Sequence, residues 1–123
     1  MKVKSMTEYR LVKTQENGDA TCNYDVVLPQ PVPLKDLLMS LIHHDEREFF
    51  IRIDLRPFDY SASHGMELHR RKEDDSWYIE SGIEWYLKMK NYLVESCWAN
   101  GGYGQMNYHL TFQTDAFGKY VYV

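Results

Sequence analysis

One stretch constrains this chain more than any other: Glu95-Ser-Cys-Trp-Ala-Asn-Gly-Gly-Tyr-Gly-Gln-Met-Asn-Tyr-His-Leu-Thr-Phe112, which sets three of the seven glycines beside an alternating run. Met106, Tyr108, Leu110 and Phe112 fall on one side of that run, and Asn107, His109, Thr111 and Gln113 on the other. Strand side chains alternate between faces, so a period of two with one apolar set marks an antiparallel strand buried on one side. The glycines before it read as the turn of a hairpin. Asn100-Gly-Gly-Tyr-Gly104 invites comparison with anion-gripping loops, but neither GxGxxG nor GxxxxGK[ST] is present and no helix start follows. A structural turn that needs positive φ is the favoured reading. The competing one is a partner-binding loop that displays Tyr103 beside Trp98.

Around this hairpin the chain reads as strands and two helices. Tyr9–Thr14 and Thr21–Leu28 flank Asn17-Gly18, a pair suited to a tight hairpin turn. Pro29, Pro31 and Pro33 end the second strand by removing backbone donors. Leu34, Leu37, Leu38, Leu41 and Ile42 recur at helical spacing, with Lys35, Asp36, Ser40 and His43 opposite, which predicts a helix of about three turns. Phe49–Leu55 alternates again and predicts a strand with Phe49, Ile51, Ile53 and Leu55 on one side and Phe50, Arg52 and Asp54 on the other. Residues 56–65 have the content of a loop. Met66–Lys72 and Trp77–Glu80 predict a second hairpin across the acidic Glu73-Asp-Asp-Ser76. Ser81-Gly-Ile-Glu84 matches a capping box, so a helix is expected from Gly82 to about Met89. A strand over Asn91–Ala99 and a short one over Lys119–Val123, after a Phe117-Gly118 turn, complete the reading.

The expected fold is a single α+β domain over residues 1–123, with a mixed or antiparallel sheet of six to seven strands and two helices packed on one face. A chain of 123 residues can bury a core without metal or disulfide staples. The formal net charge of -4 provides no broad positive field, which disfavours nucleic acid as a partner. Arg70-Arg71-Lys72 is the densest basic run, but Glu73-Asp74-Asp75 follows it directly and cancels much of its field. Cys22 and Cys97 form no CxxC pattern and read as small buried residues in a reducing compartment. Met1–Glu8 lacks the apolar run of a signal peptide, and no stretch of about 18 apolar residues occurs to span a bilayer. The chain is therefore expected in the cytoplasm, without a membrane partner and without a cofactor.

For chemistry, the sequence offers one assembly. Asp54 could orient His64 or His69 as a general base, with Arg56 or Arg52 holding an anion, in a pocket under the 56–65 loop. That makes a small enzyme or small-ligand binder the alternative function. GxSxG and HExxH are both absent, and the adjacent His43 and His44 diverge by roughly 100° on a helix, so no metal site is expected. The preferred reading is a binding protein. Aromatic residues make up 15% of the chain, with ten Tyr and three Trp, the types that dominate interface energetics. Trp98, Asn100, Tyr103 and Tyr108 are the expected binding residues, with Tyr24, Tyr78 or Trp85 at the edge of an open sheet face. The 120–123 edge is a candidate for homo-oligomerisation.

Ala99-Asn-Gly-Gly-Tyr-Gly-Gln-Met-Asn-Tyr108 resembles a run near the C-terminus of small uncharacterised proteins from gut Bacteroidales and their phages or mobile elements. Asn17-Gly-Asp-Ala-Thr-Cys-Asn-Tyr24 and the helix at Leu34 are compatible with that resemblance. It carries no activity or catalytic residue with it. It implies a bacterial or phage origin and a non-secreted accessory role, while the aromatic surface points to a non-enzymatic accessory or inhibitor protein that engages another macromolecule.

Overall fold

The computed structural model describes residues 10–16, 22–44, 50–55, 65–102 and 104–123. In chain order its elements are β1 (Arg10–Glu16), β2 (Cys22–Val27), β3 (Val32–Pro33), α1 (Leu34–His44), β4 (Phe50–Leu55), β5 (Gly65–Arg70), β6 (Trp77–Ser81), α2 (Ile83–Met89), β7 (Leu93–Gly102) and β8 (Gln105–Phe112). The strands form one sheet in the order β1-β2-β7-β8-β4-β5-β6, with β3 attached to the start of β7. β4 runs parallel to β8, and the other pairs are antiparallel. The fold is thus α+β as expected, and the sheet is mixed, with eight strands where six to seven are expected because the short β3 adds to the seven on the main path.

The centre of the sheet is the β7–β8 hairpin. Its register sets Cys97 opposite Leu110, Ala99 opposite Tyr108 and Gly101 opposite Met106, and every one of these except the half-buried Gly101 is buried. The row continues sideways. Ile53 and Met66 extend the Ala99–Tyr108 line, while Ile51, Leu68 and the half-buried Ile79 extend the line of Met106. Small residues on β7 face large ones on β8, which is how Tyr108 comes to be fully buried. Gly101 is required by close approach: a Cβ there would meet the Gln105 backbone oxygen and sit 2.9 Å from Met106 Cα. A register shift between Val94 and Ser96 leaves Glu95 and Ser96 both exposed. That shift lets Val94 turn inward opposite Phe112, as a bulge does.

Both helices pack into the same apolar cluster as the buried face of the sheet. Leu34, Leu37, Leu38 and Leu41 of α1 are buried, as their spacing predicts. Ser40, expected on the solvent side, is fully buried instead, because the buried arc of α1 is wider than its leucine stripe. The first amides of a helix lack internal partners. Here the Leu34 amide donates to the Tyr92 carbonyl and the Lys35 amide to that of Lys90, both at 3.0 Å, which ties the start of α1 to the chain just after α2.

The helix α2 ends at Met89 as anticipated, but its start differs from the capping box. Ser81 closes β6 and the cap position is Gly82, at φ 87°, with no side-chain cap hydrogen bond. Only glycine fits there: a Cβ would run into the Gly65 carbonyl oxygen and Met66 Cα. Trp85, expected at a sheet edge, faces inward at 9% exposure and lies 6.4 Å from Phe112, ring centre to ring centre. β7 begins at Leu93 and runs three residues past Ala99, since the hairpin with β8 continues its ladder to Gly102. Residues 119–123 form isolated bridges in place of a strand. The Leu93 amide donates to the Val121 carbonyl, the Val121 amide to Gln113 and the Val123 amide to Asn91. The segment thus binds its own sheet through the backbone groups of Val121 and Val123.

Replacing Tyr108 or Leu110 by alanine is expected to cost about 2–5 kcal/mol of unfolding free energy, while Met39→Ala, on the exposed side of α1, shifts it by about 0.5 kcal/mol or less. Denaturant titration of the three variants checks this.

Candidate functional site

The face opposite the core is set by the same register. Trp98 pairs with His109 and, on its other side, with Asp25; Asn100 pairs with Asn107 and with Asn23. All are half-buried except Asp25, which is exposed. Trp98 and His109 stack with ring centres 4.2 Å apart and planes 25° from parallel. The Asn100 amide oxygen accepts from His109 Nε2 at 3.2 Å, which fixes the imidazole against the indole. Beside them, Gln105 donates to the Asn107 side-chain oxygen at 2.9 Å. The middle of this face is thus a stacked aromatic pair held by an amide frame.

Sequence-predicted residues distribute unevenly over it. Trp98 and Asn100 are on this face, while Tyr108 is a correction: fully buried one position along β8, it belongs to the core because alternation sends it to the opposite side from His109. Tyr103, Arg56 and His64 lie outside the described residues. Gly104, next to Tyr103, has φ 87°, as a structural turn requires. The ladder pairs Arg52 with Asn107 and Asp54 with His109, and sets Asp54 opposite Gly65, where the chain returns from the 56–64 segment. His69 is half-buried further along the same sheet, with Nε2 3.9 Å from Glu67 Oε2 and its ring 6.0 Å from that of Tyr78. In the sequence His109 stands out only as one of the polar set of β8. The signal for its role is its position directly across from Trp98.

The basic run at the β5–β6 turn is engaged locally. Arg70 Nε lies 3.6 Å from Asp75 Oδ1, and the Arg71 guanidinium sits 4.4 Å from the centre of the Tyr78 ring. Arg71 also donates to Ser76 Oγ at 3.1 Å. Ser76 donates twice to Asp74, from its hydroxyl at 2.7 Å and its amide at 3.1 Å, which holds the Asp74 carboxyl below its ordinary range. This is a self-satisfied, solvated hairpin.

Cys97 is a free, buried thiol, and burial pushes its pKa far above the ordinary 9.0, so it is no nucleophile near neutrality. Among the described residues no three His, Cys, Asp or Glu side chains gather as metal ligands. No helix among them is long and apolar enough to cross a membrane. Comparison with family models, with curated proteins and with solved structures found no match to this chain.

Because the folded state raises the Cys97 pKa, the thiol contributes stability in full below its ordinary pKa of 9.0 and loses it as pH rises further. In a Cys22→Ser background, unfolding free energy should fall above about pH 9 more steeply with Cys97 present than in Cys97→Ala. Equal slopes for the two proteins contradict the burial. At the turn, Ser76→Ala should move the Asp74 titration midpoint upward, as read by carboxyl chemical shifts in an NMR pH titration.

Proposed function

We propose that this chain is a non-enzymatic accessory or inhibitor protein that engages another protein through the open face of its sheet. The carrying observation is the Trp98–His109 stack, half exposed in the middle of that face and held by Asn100. Aromatic anchors of this kind dominate interface energetics, and one already fixed in place loses little side-chain freedom on binding. Asp25 on one side and Glu67 with His69 on the other provide a polar rim. A bacterial or phage origin and a cytoplasmic setting belong to the same reading. The origin rests on the run Ala99–Tyr108, and the setting on the free thiol at Cys97.

The test is capture of a partner from a lysate of the organism that encodes the chain. Wild-type protein should retain a specific partner, and Trp98→Ala should lower recovery by about tenfold, an effect of about 1.4 kcal/mol, with unchanged thermal unfolding. Equal recovery by a folded Trp98→Ala variant contradicts the assignment of the site.

A further inference from the structure

β6 is the last strand in the sheet order, and among the described residues no strand pairs with its outer side. Which of its backbone groups face outward follows from the ladder it shares with β5. The Arg71 amide donates to the Ser76 carbonyl at 2.8 Å, so these two residues are a hydrogen-bonded pair. Antiparallel pairs alternate between bonded and non-bonded, which makes Arg70–Trp77 non-bonded, His69–Tyr78 bonded and Leu68–Ile79 non-bonded. The amide and carbonyl of Trp77 and of Ile79 therefore point off the edge of the sheet. Beyond Ile79 the alternation breaks, because a register shift passes over Glu80 and pairs Ser81 with Glu67.

An outward row of this kind is a template for another strand, and edges are ordinarily blunted by lysine, proline or inward charge. β1, at the other end of the order, carries Arg10, Lys13 and Glu16. The outward-bonding part of β6 is Trp77-Tyr78-Ile79, whose half-buried side chains include none of those guards. The charges that flank it select the occupant. Arg71 rests on the Tyr78 ring and donates to Ser76 Oγ, Glu80 is exposed, and neither has an ion-pair partner among the described residues. The strand thus has a cation held at Ser76 and an anion at Glu80, with Tyr78 midway between them. An antiparallel copy of the same strand reverses that order and sets each charge against its opposite.

We infer that β6 pairs edge to edge with β6 of a second copy of the chain, antiparallel about a two-fold axis at Tyr78. This register bonds Trp77 of each copy to Ile79 of the other and uses the amide and carbonyl of both residues. The neighbouring two-fold registers use fewer groups. An axis at Trp77 needs the Asp75 amide, which already donates to the Arg71 carbonyl at 3.0 Å, and an axis at Ile79 needs Ser81, past the register shift. With the axis at Tyr78, Glu80 of each copy lies across from Ser76 of the other, where the Arg71 guanidinium is held. Trp77 faces Ile79 on one side of the joined sheet, and the two Tyr78 rings meet on the other. The joined edge leaves the Trp98 face uncovered, so the dimer stands or falls independently of the partner proposed above.

Sedimentation velocity and amide hydrogen exchange, both read over a wide concentration range, test it. Wild-type protein should dimerise reversibly, and exchange at the Trp77 and Ile79 amides should slow as the dimer fills, while the Tyr78 amide, bonded to His69 in either state, stays unchanged. Glu80→Arg and Arg71→Glu, both at exposed positions, set like charges across the axis. Each should raise the dimer Kd by about tenfold or more with unchanged thermal unfolding. An equimolar mixture of the two restores opposite charges at both contacts and should form a heterodimer at wild-type strength. A wild-type chain that stays monomeric at the highest concentrations overturns the inference. So does a dimer in which Trp77 and Ile79 exchange at the monomer rate, and so does a mixture of the two charge variants that fails to pair.

Discussion

The register between β7 and β8 is the constraint on which the rest depends. Strand side chains alternate, so a slip of one residue would turn Tyr108 and Leu110 out to solvent and His109 into the core. Two features hold the register. Gly101 allows a backbone approach to Gln105 and Met106 that any side chain would block, and Gly104 closes the turn at positive φ. From that central pair the sheet grows outward. β2 joins β7 and β4 joins β8, and each contributes its own apolar residues to the same buried rows.

The same register makes the candidate site. Trp98 and His109 stack because they are direct cross-strand partners, and Asn100 reaches the imidazole because it follows Trp98 by one period on the same face. Binding face and core are therefore two sides of one ladder. The bulge at Glu95 separates the regime where the ladder governs from the cluster at the start of β7. There, Tyr92, Phe112, Tyr120 and Tyr122 gather around the end of α2.

Much of this was legible in the sequence wherever a period was strong. The alternation over Met106–Phe112, the leucine spacing of α1 and the hairpin across the acidic turn all specify their elements locally. The misses share a cause, in that each depends on tertiary approach. Ser40 looks solvent-facing on a helical wheel and is buried by what packs beside α1. Ser81 and Glu84 fit a capping box, yet the contact of Gly82 with Gly65 and Met66 moves the cap to the glycine. Tyr108 and Trp98 are both aromatic and both near the glycines. Which of them meets solvent follows from strand parity, a signal the sequence does carry and that aromatic content alone obscures. The pairing of Trp98 with His109 needed the register of two strands at once, and no single segment encodes that.

Solvent paramagnetic relaxation, read by NMR, measures the central claim most directly. With a soluble paramagnetic agent added, the imidazole protons of His109 and the indole N–H of Trp98 should broaden, while the ring protons of Tyr108 remain sharp. Nuclear Overhauser contacts should link the Trp98 and His109 rings. Broadening of Tyr108 with protection of His109 would contradict the register, and with it both the core and the site assigned here.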